Sequence, residues 1–349
     1  MAHMNIKGEA FNVEVAGREN APALMLSNSL GTDLHMWDAQ MPALTARFRV
    51  VRYDSRGAGA SVTSEGPYSI AQLAGDALAI LDALGIDKTH WMGVSKGGMV
   101  GQWLLTHAPH RIMRAVLANT AAHLPSADLW NARIRAVNTQ NMHAVTPAVL
   151  DRWFTKAFQR AAPEAVAAVK RMLHHTPAAG YAACCAAIRD MDQREAIRAV
   201  TAPVLVINGR LDPATPPAMG ELIAKRIKGA TLVSLEAAHL SNIEQPKAFT
   251  KAALAFLTAK DKVVVKGKTA KKASKTAAAK APAKKAAPPK SVKTKAVKTS
   301  AKKTIVKKAA KTVPAKTIAA KTIAAKAPAP RATPVRVLKI VVKKKAKTK

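Results

Sequence analysis

A serine set between glycines, an aspartate and a histidine, in that order along the chain, could together hydrolyse an ester by covalent catalysis. Gly93-Val94-Ser95-Lys96-Gly97 fits G-x-S-x-G, the pattern that puts a serine on a sharp turn between an apolar strand and a helix. The two glycines leave room for backbone that a side chain would obstruct. The first N–H groups of the helix face any negative charge that develops at the serine. A serine hydroxyl is a weak nucleophile until a base takes its proton, and the base needs an acid to orient it. Asp212, within Gly209-Arg210-Leu211-Asp212-Pro213, and His239, within Glu236-Ala237-Ala238-His239, follow in the required order. Taken singly they read as a glycine turn with a helix cap, a turn-capping aspartate and a loop histidine. Taken together, Ser95, Asp212 and His239 form the expected catalytic triad.

The same chemistry needs donors for the tetrahedral oxyanion, each worth about 3 kcal/mol where one has been removed. The backbone N–H of Lys96 is the expected first donor. The second is assigned to the N–H of Leu30, in the loop Ser27-Asn28-Ser29-Leu30-Gly31, for which an ordinary Asn/Ser/Gly turn is the plain alternative. Another glycine-rich stretch, Asp54-Ser55-Arg56-Gly57-Ala58-Gly59-Ala60-Ser61, lacks the G-K-[ST] ending of a phosphate loop, so it reads as a structural turn with Arg56 tying loops together.

These residues need a scaffold, and the chain supplies one by alternating short apolar runs with helical stretches. Runs at 11–15, 23–27, 48–53, 89–94, 114–119, 203–208 and 231–235 read as strands, with helices at 70–84 and 97–107 among the connections. Such alternation predicts a mostly parallel sheet covered by helices on both faces, an α/β-hydrolase fold once the triad is placed on it. From 122 to 197 the strand signal stops and helical stretches succeed one another (132–142, 147–155, 163–174, 178–189). The expected organisation is therefore a core of 1–121 and 198–258 with an inserted helical cap at 122–197. A cap there would cover the carboxyl ends of the strands, where open α/β sheets bind ligands. Met1 to Met4 (MAHM) reads as either a native start or a cloning remnant and is set aside.

Charge divides the chain further. Residues 260–349 hold 30 of the 56 Lys and Arg but one of the 21 Asp and Glu, leaving +29 of the total +35 in that stretch. Its Lys/Ala/Thr/Pro repeats, such as Lys316-Thr317-Ile318-Ala319-Ala320, contain no aromatic residue, and a disordered basic tail from 259 to 349 is expected. Many lysines without aromatic interleaving suit non-specific, salt-sensitive binding of DNA, RNA or another polyanion, and are similar to the tails of linker-histone-like bacterial proteins. The apolar patch at 335–342 is a candidate docking element. The only cysteines, Cys184 and Cys185, are adjacent and poorly placed for a low-strain disulfide. With no signal-like or membrane-spanning apolar run, a cytoplasmic location is expected, with nucleoid association through the tail as a further expectation.

Several strings go beyond a fold. SNSLGTDLHMWDAQ (27–40), YDSRGAGAS (53–61), GVSKGGMVGQWL (93–104), YAACCAAIRDMD (181–192), GRLDPATPP (209–217) and AAHLSNIEQPKAF (237–249) closely resemble the 3-oxoadipate enol-lactonases of the β-ketoadipate route of aromatic catabolism. The resemblance covers residues 10–258 and implies a carboxylic-ester hydrolase that opens a small lactone without cofactor or metal. It also implies that Trp130 and Arg133, three residues apart on a cap helix, bind the substrate's free carboxylate. A core tryptophan and a solvated arginine remain the plain alternative. Trp153 and Phe154 resemble family residues that can serve as a cap-packing pair.

The chain departs from the family pattern at Lys96, usually methionine, and at Ala58, usually histidine. Lys96 is expected either to disfavour a protonated His239 or to draw anionic substrate toward the pocket mouth. Two other classes compete with the lactonase: a generic carboxylesterase of the same fold, and a DNA-associated protein that uses the hydrolase domain as scaffold.

Overall fold

The apolar runs pair into one sheet in the computed structural model, which describes residues 2–259; the basic tail and its 335–342 patch lie outside the described residues. The strands are β1 (Ala2–Ile6), β2 (Glu9–Ala16), β3 (Ala23–Ser27), β4 (Arg49–Tyr53), β5 (Thr89–Val94), β6 (Ile112–Ala118), β7 (Val204–Gly209) and β8 (Thr231–Leu235). Their order across the sheet is β1-β2-β4-β3-β5-β6-β7-β8. β1 and β2 are antiparallel to their neighbours, and every pair from β4 to β8 is parallel. β3, β5 and β7 are buried along their whole length, which is why they read as continuous apolar runs rather than as alternation.

The helices are α1 (Met41–Thr45), α2 (Ile70–Ala83), α3 (Lys96–His107), α4 (Ala127–Trp153), α5 (Lys156–Ala161), α6 (Pro163–His175), α7 (Ala178–Asp190), α8 (Pro217–Arg226), α9 (Ser241–Glu244) and α10 (Pro246–Leu257). α4 to α7 occupy the interval between β6 and β7. The two ends of this insertion meet: His123 bridges Asp192, and the Gln193 N–H donates to the Ala122 carbonyl at 2.8 Å.

Two differences from the sequence-based expectation have clear causes. Residues 2–4 are structural, because β1 pairs with β2 from Ala2↔Val13 to Ile6↔Glu9, with Ile6 buried and Met4 packed on the core. Lys7 (φ 53°) and Gly8 (φ 90°) turn the chain between the two strands. α4 starts at Ala127, five residues earlier than expected, after a left-handed Ser126 and with Asp128 in its first turn. It spans both expected helices, interrupted by Asn141 at φ 64°. Among the described residues no helix is long and apolar enough to cross a membrane.

Candidate active site

Ser95 stands at the carboxyl end of β5 with φ 55° and ψ −116°, a left-handed conformation that a serine adopts only under constraint. The constraint is visible on both sides. The Ser95 N–H donates to the Ala118 carbonyl (2.9 Å), and Thr120 Oγ1 donates to the Ser95 carbonyl (2.7 Å), so β6 holds the turn from one flank. On the other flank α3 lies so close to β3 that a Cβ on Gly97 would sit 2.1 Å from the Ser27 carbonyl oxygen.

The Gly97 N–H donates to the Asn28 carbonyl at 3.1 Å, which ties the 28–31 loop to the elbow. Asn28 is fixed in turn: its Nδ2 donates to the Tyr53 carbonyl (2.8 Å) and its Oδ1 accepts from Trp37 Nε1 (2.9 Å). Leu30 thereby lines the same cavity as Ser95. Lys96, as the first residue of α3, has no intrahelical acceptor for its N–H. Leu30 therefore shares a cavity with Ser95, and the Lys96 N–H follows Ser95 directly in the chain.

The acid and base arrive from the ends of β7 and β8. The Arg210 N–H donates to the Leu235 carbonyl (2.8 Å) and the Leu211 N–H to the Ala237 carbonyl (3.0 Å), so the Asp212 loop is laced to the His239 loop. Gly209 permits this, since a Cβ there would lie 2.2 Å from the Ala238 oxygen. His239 Nδ1 lies 2.8 Å from Asp212 Oδ2, and both side chains are buried. Asp212 accepts four further bonds: Asn119 Nδ2 (3.0 Å) and Thr215 Oγ1 (2.7 Å) at Oδ2, and the Ala214 and Thr215 amides (2.8 and 2.9 Å) at Oδ1. Burial alone would raise the Asp212 carboxyl, but the His239 charge and these hydrogen bonds outweigh it and hold the group below the usual carboxylate range. An ionised Asp212 accepting from Nδ1–H leaves His239 Nε2 as the proton acceptor. In this state Ser95 Oγ makes no hydrogen bond to His239 among the described residues, and both side chains line the same cavity.

That cavity, about 340 Å³, lies between the carboxyl ends of the strands and the cap. Trp130 and Arg133 of α4 both line it, with the Arg133 guanidinium stacked 4.9 Å from the Trp130 ring centre. Trp153, expected only to pack the cap, also lines it, its ring centre 6.0 Å from that of His239. Phe154 does pack within the cap, stacked on Phe158 at 5.3 Å.

Residues 22–246 match the α/β hydrolase fold family. The chain is 42% identical over 248 residues to 3-oxoadipate enol-lactonase 2 of Acinetobacter baylyi, covering 71% of this chain and 93% of that protein. It superposes on the enol-lactonase from Burkholderia xenovorans LB400 with a TM-score of 0.73 and 42% identity, covering 74% of this chain and all of that one. A hydrolase from Pseudomonas aeruginosa PA01 is 47% identical, with a TM-score of 0.72 and coverage of 74% and 98%. The chain belongs to the enol-lactonase family of α/β-hydrolases. It is thereby a hydrolase of the ester and lactone class.

Within that family the site holds residues that sequence reasoning missed. Asn119, left-handed at φ 44°, donates to Asp212 Oδ2 and to the Ala238 carbonyl (3.1 Å) while accepting from Ser241 Oγ (2.5 Å). An asparagine directly after an apolar strand was the available signal, since asparagine tolerates this conformation better than most residues. Arg152 lines the cavity too, and nothing in its spacing set it apart. Arg56 ties its turn to a strand and a helix rather than to other loops, pairing with Glu9 of β2 and with Asp76 of α2 at 2.7 Å.

The Lys96 side chain corrects an expectation. It is 1% exposed and absent from the cavity lining, so its amine does not reach the pocket mouth. Burial pushes the amine below the usual lysine range, against the weaker opposing pull of Cys184, Asp76 and Asp54. No carboxylate lies within ion-pair distance of it among the described residues. A buried lysine without a partner costs stability, and methionine has nearly its shape without its charge. Lys96→Met should therefore keep lactone turnover and melt above wild type at pH 7. The unfolded chain holds this proton up to about pH 10.5 while the folded chain releases it earlier, so wild-type stability rises across that interval and the gap narrows with pH. Thermal melts from pH 7 to 10.5 check this; a lower melting temperature for Lys96→Met at pH 7 would show that the ammonium is a stabilising group.

Proposed function

We propose that the chain hydrolyses 3-oxoadipate enol-lactone to 3-oxoadipate through an acyl-enzyme on Ser95, as a step of aromatic catabolism. The observation that carries the proposal is the buried Asp212–His239 pair at 2.8 Å opening on the same cavity as a strained Ser95 and the cap residues Trp130 and Arg133. Relatives named enol-lactonases over nearly their full length support the substrate.

In this mechanism Ser95 Oγ attacks the lactone carbonyl carbon while its proton passes to His239 Nε2. Asp212 holds the imidazolium that forms. The Leu30 and Lys96 N–H groups receive the oxyanion. Collapse breaks the ring C–O bond and expels an enolate, a better leaving group than an alkoxide; the proton on His239 passes to it, which leaves the imidazole neutral, and the enol becomes a ketone. Water then gives a proton to His239 and attacks the acyl carbon. The bond between the acyl carbon and Ser95 Oγ breaks, Oγ recovers its proton from His239, and the new carboxylic acid gives its proton to solvent and leaves as a carboxylate. Arg133, braced on Trp130, holds the substrate's existing carboxylate throughout.

Steady-state turnover of the enol-lactone tests this. Ser95→Ala should fall to background. Asp212→Asn should lose about 10⁴ in kcat by leaving His239 in the wrong tautomer. Preference for the lactone over p-nitrophenyl esters separates the lactonase from a generic carboxylesterase; wild type without lactone turnover would overturn the proposal.

We also propose that residues 260–349 bind polyanions without sequence preference, on the strength of their +29 charge. A gel shift with duplex DNA should be seen for the full chain, weaken steeply with salt and vanish in a chain ending at 258. Equal binding by both would place the basic site elsewhere.

A further inference from the structure

Among the side chains lining the catalytic cavity, Arg133 and Arg152 carry the formal charges besides His239, and no carboxylate is among them. Neither guanidinium is paired with an acid among the described residues, whereas Arg52, Arg56, Arg111, Arg189, Arg194, and Arg226 all are. Two unpaired, partly desolvated guanidiniums in one pocket repel each other. An anion held between them would relieve that repulsion and supply the partners they lack.

Arg152 is held there by the architecture. It is the next-to-last residue of α4, and the end of that helix is fastened to the His239 loop. The Leu240 N–H donates to the Trp153 carbonyl at 3.1 Å, and Glu244, which accepts from the Ala238 N–H at 2.9 Å, also takes the Thr155 hydroxyl. Trp153 lies over His239, so its neighbour Arg152 enters the cavity from the base side while Arg133 enters from the first half of α4. Burial, followed by the neighbouring charge of Arg133, pulls the Arg152 guanidinium below the usual arginine range.

We infer that Arg152 is the second half of a two-guanidinium subsite, specific for a dianion, that answers the negative charge created when the ring opens. The inference rests on the enol-lactone reading for its timing. The lactone carries one carboxylate, which Arg133 holds. Ring opening adds an enolate oxygen, and hydrolysis converts the acyl group into a second carboxylate. Arg152 is a specificity-determining residue in this scheme, stabilising the ring-opened states more than the bound lactone.

Calorimetric titration of the full chain at 0.15 M salt with adipate, a dicarboxylate of the product's length, and with hexanoate, its monocarboxylate counterpart, tests the subsite without turnover. The basic tail is common to all variants, so its contribution cancels between them. Wild type should bind adipate about tenfold more tightly than hexanoate. Arg152→Gln should remove most of that preference by weakening adipate alone, Arg152→Lys should restore part of it, and Arg133→Gln should weaken both ligands.

An equal affinity of wild type for the two ligands would overturn the inference without recourse to any variant. So would an adipate preference that survives in Arg152→Gln. Adipate selectivity lost with Arg152, in a protein that fails to turn over the enol-lactone, would support the subsite and strike the lactonase reading instead.

Discussion

The backbone of Ser95 at φ 55° is the constraint on which the site depends. Left-handed backbone at a non-glycine residue costs on the order of 1 to 3 kcal/mol, so the surrounding structure must impose it. The imposing contacts are the Ala118 and Thr120 hydrogen bonds on one side and the glycine-thin approach of α3 to β3 on the other. Because the same approach binds Asn28 to Gly97, the strain that presents the hydroxyl also sets the Leu30 loop beside it. Ser95 and the loop that carries Leu30, the proposed nucleophile and oxyanion donor, are positioned by one piece of packing. A side chain at Gly97 would displace both.

The acid–base pair and the cap share a second fastening. Loops after β7 and β8 are laced by backbone hydrogen bonds, Asn119 bridges them from β6, and Glu244 with Leu240 joins them to the end of α4. The cap is therefore anchored at the residue that packs on the catalytic histidine, Trp153. In the proposed mechanism this couples substrate selection, through Trp130, Arg133 and Arg152, to the geometry of proton transfer at His239. Two guanidiniums from the cap over Ser95 and His239 suit a small anion.

Much of this was legible in the residues. The buried strands announced themselves as apolar runs, and Ser95, Asp212 and His239 by their order and by the strands they follow. What escaped had physical reasons. β1 is short and mixed in polarity, and gains its order from pairing with β2. Arg152 resembles any solvated arginine on a helix until tertiary packing turns it inward, and Trp153 resembles any core tryptophan until His239 is found beneath it. Lys96 misled because adjacency to Ser95 in sequence says little about side-chain direction: the Lys96 side chain is buried away from the cavity that Ser95 lines.

The covalent role of Ser95 stands at the centre of the mechanism, and it can be observed directly. Mixing the protein with excess enol-lactone, quenching in acid within the first turnovers and mapping the peptides by mass spectrometry should find the ring-opened acyl group on the peptide containing Ser95, at its hydroxyl. Turnover without any adduct there, together with a Ser95→Ala variant that still opens the lactone, would show that water attacks the carbonyl directly and that Ser95 is not the nucleophile.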